Sequence, residues 1–175
     1  DQFKMNVFAV EYPGYGICPG APTADSVTEN VFAAFRFVRE VLRWPLDGIK
    51  VLGRSIGTGP AISLAVQYKV AGLILVAPFL SIKALFEDAV GVFSHLVAER
   101  FPSKDWMHLV RSPVLIIHGQ KDTLIPCRHG EALFELCRSR KLLVSPENME
   151  HNTNLLADPS FLAVPMLRFF SLPDR

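Results

Sequence analysis

The protein has 175 residues and a mass of 19.5 kDa, which suits one domain better than two. Half of its residues are hydrophobic and 20% are charged, so the chain can bury a core and is not expected to be disordered. Its formal net charge is +1 and it has no run of Lys or Arg, which argues against a nucleic-acid partner. The longest apolar stretch, residues 70–80, is too short for a transmembrane helix, which needs about 20 residues.

Cysteine content and the first residues bear on the cellular compartment. The three cysteines, Cys18, Cys127 and Cys137, are odd in number and lack the spacing of a metal site. They indicate neither a disulfide framework nor a bound metal, and they favour a reducing compartment. Residues 1–4 are mostly polar and show no feature of a signal peptide. We therefore expect an intracellular protein of the cytoplasm or of the membrane periphery.

Strand-like and helix-like segments alternate along the chain, which predicts an α/β fold with a mostly parallel sheet and helices on both faces. The predicted strands, most of them short apolar runs, cover residues 5–12, 49–53, 72–77, 114–118 and 141–144. The predicted helices cover residues 25–43, 56–68, 80–99, 127–138 and 160–170. Thr23 or Asp25 caps the first helix, and Pro165 bends or interrupts the last. We expect residues 1–175 to form a single domain with a short helical cap inserted at about residues 79–111.

A motif for a nucleophilic residue lies between a predicted strand and a helix. Residues 53–57 read G-R-S-I-G and match the pattern G-x-S-x-G. In that context the pattern predicts a nucleophile elbow, in which Ser55 occupies a strained turn. Gly53 and Gly57 would avoid a collision with the crossing strand and helix, and the backbone N–H of Ile56 would stabilise an oxyanion. The pentapeptide alone also suits a glycine-rich turn with an exposed serine, or a phosphate-binding loop.

A serine nucleophile needs a base and an acid, which in this arrangement follow it in the order acid, then histidine. Asp122 lies in a predicted loop after the fourth strand, where it also suits a turn or a helix cap. His151 lies in a loop after the last strand, although a lone histidine there is otherwise a surface residue. The other histidines precede the acid or fall in or beside predicted elements: His95, His108, His118 and His129. The sequence therefore predicts that Ser55 attacks, His151 takes its proton and Asp122 orients the imidazole.

With these residues the chain resembles the α/β-hydrolase superfamily over residues 5–170. It is most similar to the branch of the family-17 and family-13 α/β-hydrolase-domain proteins, which includes protein depalmitoylases. The motifs that carry the resemblance are Glu11-Tyr12-Pro13-Gly14-Tyr15-Gly16, Gly53-Arg54-Ser55-Ile56-Gly57-Thr58-Gly59-Pro60-Ala61, Ala77-Pro78-Phe79, residues 113–122 and His151-Asn152. The resemblance implies a serine hydrolase that cleaves esters or thioesters through an acyl-enzyme, without a metal or an organic cofactor. Its substrate would be a small molecule or an acylated protein, with an acyl-protein thioesterase as the favoured subtype.

The resemblance also implies a sheet of eight strands, of which the five predicted here correspond to the fourth to eighth. The sequence shows no counterpart of strands one to three, nor of the loop that supplies a second oxyanion donor. It also lacks the N-terminal cysteine cluster by which depalmitoylases of this branch bind membranes. We therefore expect the isolated chain to be weakly active or inactive, and any membrane association to depend on an upstream segment.

Two other functions stay open. Glu150 stands where such proteins usually have Gly before the histidine, and this departure, with the missing loop, favours a non-catalytic hydrolase-like binding module or a truncated, inactive fragment. Serine peptidases share the fold, although nothing in the sequence supplies their propeller domain.

Aromatic residues concentrate in the predicted cap segment: Phe79, Phe86, Phe93, Phe101 and Trp106. Most of them suit core packing. Phe79 and Phe86 are the candidates for lining an apolar acyl pocket near the elbow.

Overall fold

The computed structural model describes residues 5–90 and 98–170, without the side chains of residues 89 and 90. The chain divides into two compact units, Asp1–Arg43 and Trp44–Arg175. The first is built around α1 (Ala24–Arg36), which continues as a π-helical turn at Phe37–Val41. Thr23 caps α1 in a reciprocal capping box with Ser26, so the predicted helix at residues 25–43 forms over most of its length.

The strand predicted at residues 5–12 does not form, and this prediction is wrong. The segment has no regular secondary structure, and the side chain of Val7 is 88% exposed. A strand-like apolar segment makes a strand only where a neighbouring strand satisfies the backbone N–H and C=O groups. Among the described residues the sheet has four strands, and this segment is not one of them.

The second unit contains a parallel sheet whose strands lie in their chain order. Its strands are β1 (Lys50–Arg54), β2 (Gly72–Val76), β3 (Val114–Ile117) and β4 (Lys141–Val144). The other four predicted strands match these bounds to within one residue. The register aligns Arg54 with Val76, Val76 with Ile117, and Ile117 with Val144. The strands therefore end level, and the loops that follow them emerge along one edge of the sheet.

The helices of the second unit follow the strands. They are α2 (Thr58–Gln67), α3 (Ile82–Val90), α4 (Ser103–Trp106), α5 (Arg128–Leu136) and α6 (Ala163–Phe170). Short 3-10 turns occur at Leu46–Gly48, Ser55–Gly57 and Met107–Leu109. Pro165 lies in the first turn of α6, where its missing N–H breaks no helical hydrogen bond, so the predicted interruption of the helix at this residue is wrong.

The predicted helix at residues 80–99 and the predicted cap at about residues 79–111 are partly described. The structure places α3, α4 and a 3-10 turn in this segment, and residues 98–99 are not helical. Residues 91–97, with Phe93 and His95, lie outside the described residues. The single domain over residues 1–175, with this cap, stays a prediction.

Two apolar cores lie on opposite faces of the sheet. On one face Leu73 and Leu75 of β2 pack with residues of α2 and α5. On the other face Ile74 and Val76 of β2 pack with Phe169 of α6. Neighbouring residues of a strand point to opposite faces, so the fully buried, continuous apolar β2 serves both cores. Helices therefore cover both faces, as the alternating sequence pattern predicts.

All three cysteines are free thiols. In the part of the chain that the structure describes, no helix has both the length and the apolar character needed to cross a membrane.

Candidate active site

Ser55 directly follows β1 and begins the tight turn that leads into α2. Its φ is +51°, in the left-handed region that costs a residue with a Cβ about 1–2 kcal/mol. A Cβ on Gly53 would lie 2.5 Å from the carbonyl oxygen of Gly57 and 2.9 Å from the Cβ of Ala61, so glycine is required there. Gly57 has an ordinary helical φ of −67°. The strain of the turn therefore falls on Ser55 itself.

The turn leaves a backbone donor beside the serine. The carbonyl of Ser55 accepts hydrogen bonds from the backbone N–H and from the hydroxyl of Thr58, the latter at 2.7 Å. The N–H groups in the first turn of a helix find no carbonyl partner within that helix. The N–H of Ile56, the next residue after Ser55, is therefore available to an oxygen bound at this edge of the sheet.

A chain of hydrogen bonds joins Ser55, His151 and Asp122. The Ser55 Oγ lies 3.0 Å from His151 Nε2, and His151 Nδ1 lies 2.8 Å from Asp122 Oδ2. Because a carboxylate only accepts hydrogen bonds, Nδ1 carries a proton, and Nε2 is left to accept the Ser55 hydroxyl. The structure thus brings the three residues predicted from the sequence together in that connectivity.

The second oxygen of Asp122 holds the loop that carries it. Asp122 Oδ1 accepts hydrogen bonds from the N–H groups of Leu124, at 3.0 Å, and Ile125, at 2.8 Å. The Asp122 side chain is 1% exposed. The aspartate therefore closes a turn and contacts the histidine at the same time, so its turn-closing role is compatible with the catalytic role predicted from the sequence.

His118 directly follows β3 and contacts this loop. It is fully buried, and its Nε2–H donates to the carbonyl of Ile125 at 2.8 Å. The same nitrogen is 3.7 Å from Asp122 Oδ2. Burial lowers the pKa of His118, and this effect outweighs the hydrogen bond to Ile125 and the charge of Asp122, which raise it. A neutral imidazole therefore supports the Asp122 loop.

The loops of Asp122 and His151 are joined to each other. A Cβ on Gly119 would overlap the carbonyl of Met149, so glycine permits their close approach. The Lys121 N–H donates to that carbonyl at 3.2 Å, and Lys121 Nζ donates to Asn148 Oδ1 at 2.8 Å. These contacts join the loop of the aspartate directly to the loop of the histidine.

Two further residues shape the histidine loop. The side chain of Glu150 is exposed, and its backbone N–H donates to Thr153 Oγ1 at 2.8 Å. Arg54, which the sequence reasoning passed over, donates from Nη2 to the carbonyls of His151, at 2.7 Å, and Thr153, at 3.2 Å. The sequence feature that could have indicated Arg54 is its position, because it is a cationic residue directly before Ser55, at the end of an apolar strand.

A cavity of about 270 Å³ opens beside Ser55. Its lining is otherwise apolar and consists of Ile56, Phe79, Leu85, Phe86, Leu124 and Ile125. Phe79 is fully buried, whereas Phe86 is 45% exposed and Leu124 66% exposed. The structure therefore places both predicted pocket residues at this cavity, and it adds Leu85, Leu124 and Ile125, which were not predicted.

Phe101 and Trp106, the other described aromatic residues of the cap segment, pack in the interior. Phe101 is buried, and its ring lies 6.5 Å from that of Phe79 in an edge-to-face arrangement. Trp106 packs against the core on the α2 face. Among residues 5–90 and 98–170, no group of three His, Cys, Asp or Glu side chains is arranged to hold a metal ion.

The sequence is similar to those of known proteins, although it matches no protein-family model. It is 34% identical over 152 residues to the human α/β hydrolase domain-containing protein 17B. That alignment covers 86% of this chain and 52% of the relative. The chain therefore spans about half the length of the curated relatives that it matches.

Solved structures share the fold at low sequence identity. An α/β hydrolase from Vibrio vulnificus superposes with a TM-score of 0.74 at 19% identity, over 90% of this chain and 61% of the other. An esterase from Exiguobacterium antarcticum superposes with a TM-score of 0.67 at 18% identity, over 93% of this chain and 80% of the other. The fold class and the resemblance predicted from the sequence are confirmed.

Proposed function

We propose that this chain, which has the α/β-hydrolase fold and is similar in sequence to the family-17 α/β-hydrolase-domain proteins, carries the catalytic residues of a serine hydrolase. The substrate in this proposal is a carboxylic ester or a thioester. The observation that carries it is the hydrogen-bonded connection from Ser55 through His151 to the buried Asp122. The esterase among the structural neighbours supports the same class of reaction.

In the acylation step, Ser55 Oγ attacks the carbonyl carbon of the substrate while its proton passes to His151 Nε2. The negative charge that develops on the carbonyl oxygen is stabilised by the N–H of Ile56, a contribution of about 10²–10³ in rate for one such donor. The protonated His151 then transfers its proton to the leaving alcohol or thiol, and an ester between the acyl group and Ser55 remains. Asp122 keeps the imidazole oriented and stabilises its charged form.

In the deacylation step, water replaces the departed alcohol or thiol. His151 accepts a proton from the water, whose oxygen attacks the acyl carbon. The bond between that carbon and Ser55 Oγ breaks, and His151 returns its proton to the serine. The products are the carboxylic acid and the free enzyme.

The apolar cavity supports an acyl group as the part of the substrate that is recognised. Six of its seven lining side chains are hydrocarbon, and Ser55 is the polar one. The exposed Phe86 and Leu124 extend this apolar surface to the rim, where a longer chain would continue. An acyl-protein thioesterase is the subtype that we favour, because the family branch that the sequence resembles includes depalmitoylases.

The test is hydrolysis of p-nitrophenyl acyl esters by the protein at its native full length. We expect Ser55→Ala to abolish turnover and Ser63→Ala, at a serine farther along α2, to leave it unchanged. Turnover that survives in Ser55→Ala would contradict the proposal. Absence of turnover in the folded wild-type protein, with any acyl chain or with thioesters, would favour a non-catalytic binding module.

A further inference from the structure

Arg54 is the last residue of β1 and precedes the serine directly. Its guanidinium Nη2 donates to the carbonyl of His151 at 2.7 Å and to the carbonyl of Thr153 at 3.2 Å. These acceptors are 97 and 99 residues farther along the chain. One side chain therefore links the strand that carries the nucleophile to the backbone of the loop that carries the histidine.

The histidine loop has a closed internal structure. The Glu150 N–H donates to Thr153 Oγ1, and the Thr153 N–H donates to the Glu150 carbonyl at 3.2 Å. Within the described residues, the hydrogen bonds that join this loop to β1 and Ser55 are the two that Arg54 donates and the one that the His151 ring accepts from the Ser55 hydroxyl.

The chemistry of the contact suits an anchor. Hydrogen bonds from a charged donor are shorter and about twice as strong as those between neutral groups. The guanidinium is planar and presents its donors in a fixed geometry, so it loses little freedom per bond formed. Arg54 is also partly buried, which limits the competition from water for the two carbonyls.

We propose that Arg54 is a positioning residue that holds His151 in register with Ser55; this inference rests on the proposed function. Arg54 fixes the carbonyl of His151 relative to the end of β1 and thereby keeps Nε2 within hydrogen-bond distance of the serine hydroxyl. It does not contact the reacting atoms. Because displacement of a catalytic group by about 1 Å costs on the order of 10² in rate, its loss should affect the chemical step.

The test compares Arg54→Gln and Arg54→Lys with Arg111→Gln, a control at an exposed arginine before β3. With a short-chain ester, we expect Arg54→Gln to lower kcat about 100-fold at an unchanged KM. Arg54→Lys, which keeps a cation able to reach one carbonyl, should recover part of that loss. Arg111→Gln should behave as the wild type.

Active-site titration distinguishes misplacement of the histidine from misfolding. If each titrated molecule of Arg54→Gln turns over at the wild-type rate, or if Arg54→Lys is no better than Arg54→Gln, the inference is overturned. A rise in KM that accounts for the whole effect also overturns it.

A second readout needs no turnover. The proton on His151 Nδ1 gives a distinct NMR resonance while it is hydrogen-bonded to Asp122 and shielded from exchange. We expect this resonance to be present in the wild type and in Ser55→Ala, and to broaden or disappear in Arg54→Gln. If the wild type proves inactive, the proposed function fails, and this measurement alone decides the role of Arg54: an unchanged resonance in Arg54→Gln overturns it.

Discussion

Asp122 binds His151 with one carboxylate oxygen and its own loop with the other. Oδ2 accepts from His151 Nδ1 at 2.8 Å, while Oδ1 accepts from two backbone N–H groups of the loop. The orientation of the imidazole therefore depends on a carboxylate that its own loop already fixes. This arrangement predicts how Asp122→Asn, a neutral substitution of the same shape, affects kcat.

We expect Asp122→Asn to fold and to lose about 10⁴ in kcat. The amide oxygen can replace Oδ1 in the loop, but its NH₂ group then faces His151 Nδ1 and forces the proton onto Nε2, which can no longer accept from Ser55. The measurement is kcat for an acyl ester, with Asp105→Asn on α4 as the matched control. An Asp122→Asn protein within tenfold of the wild-type kcat would show that the aspartate does not set the tautomer.

The tight turn at residues 53–57 predicts that substitution of glycine by alanine destabilises the protein more at Gly53 than at Gly48. Gly53→Ala places a Cβ 2.5 Å from a carbonyl oxygen and should lower the free energy of unfolding by about 1–3 kcal/mol. Gly48→Ala is the control, since its Cβ would come no closer than 3.4 Å to its neighbours, and its effect should stay within about 0.5 kcal/mol. Urea denaturation measures both. Equal effects would mean that the backbone at Gly53 relaxes to accept a side chain.

The cavity predicts how chain-length preference responds to Phe86. Phe86→Ala enlarges the cavity and should shift the ratio of kcat/KM for octanoate over butyrate esters upward, whereas Phe86→Trp should shift it downward. A shift of about tenfold corresponds to one or two methylene groups. Leu136→Ala, at an exposed residue at the end of α5, is the control. If neither Phe86 variant changes the ratio, the acyl group binds elsewhere.

His118 predicts a pH dependence of stability. Burial lowers its pKa in the folded state, so the unfolded chain binds a proton at a higher pH, near its ordinary value of about 6.5. The contribution of neutral His118 to the free energy of unfolding should therefore be fully present above about pH 6.5 and decrease as the pH falls from there toward the folded-state pKa. His118→Gln keeps a donor for Ile125 but cannot titrate.

Urea denaturation on either side of about pH 6.5 tests this expectation. Wild type should lose more stability on acidification than His118→Gln, and Asp122, His129 and His151, which face His118, are common to both proteins. An equal loss in the two proteins would mean that His118 does not titrate on unfolding.

The sequence was sufficient for the parts of the site that depend on local pattern and chain order. Ser55 sits in a motif whose strand and helix can both be recognised, and loops that follow parallel strands must emerge at one edge of the sheet. Asp122 and His151 were therefore predictable from their positions after β3 and β4. Their distances from the serine were not.

The failures share a physical cause, which is dependence on a partner elsewhere in the chain. Residues 5–12 have the apolar composition of a strand, but a strand also needs a neighbour for its backbone. Arg54 bonds to main-chain carbonyls, which every residue possesses, so no sequence feature marks its acceptors. Whether Pro165 disrupts a helix depends on where the helix begins. Because α6 begins at Ala163, the proline lies in the first turn and breaks no helical hydrogen bond.

The most direct test of the proposed nucleophile is covalent labelling with a fluorophosphonate, which phosphonylates an activated serine and releases fluoride. Applied to the folded protein at its native full length and followed by peptide mass spectrometry, it should place the adduct on Ser55. Labelling should be absent in Ser55→Ala and greatly slowed in His151→Ala, because the hydroxyl then lacks its base. A folded wild-type protein that remains unlabelled, or that carries the adduct on another serine, would contradict the account.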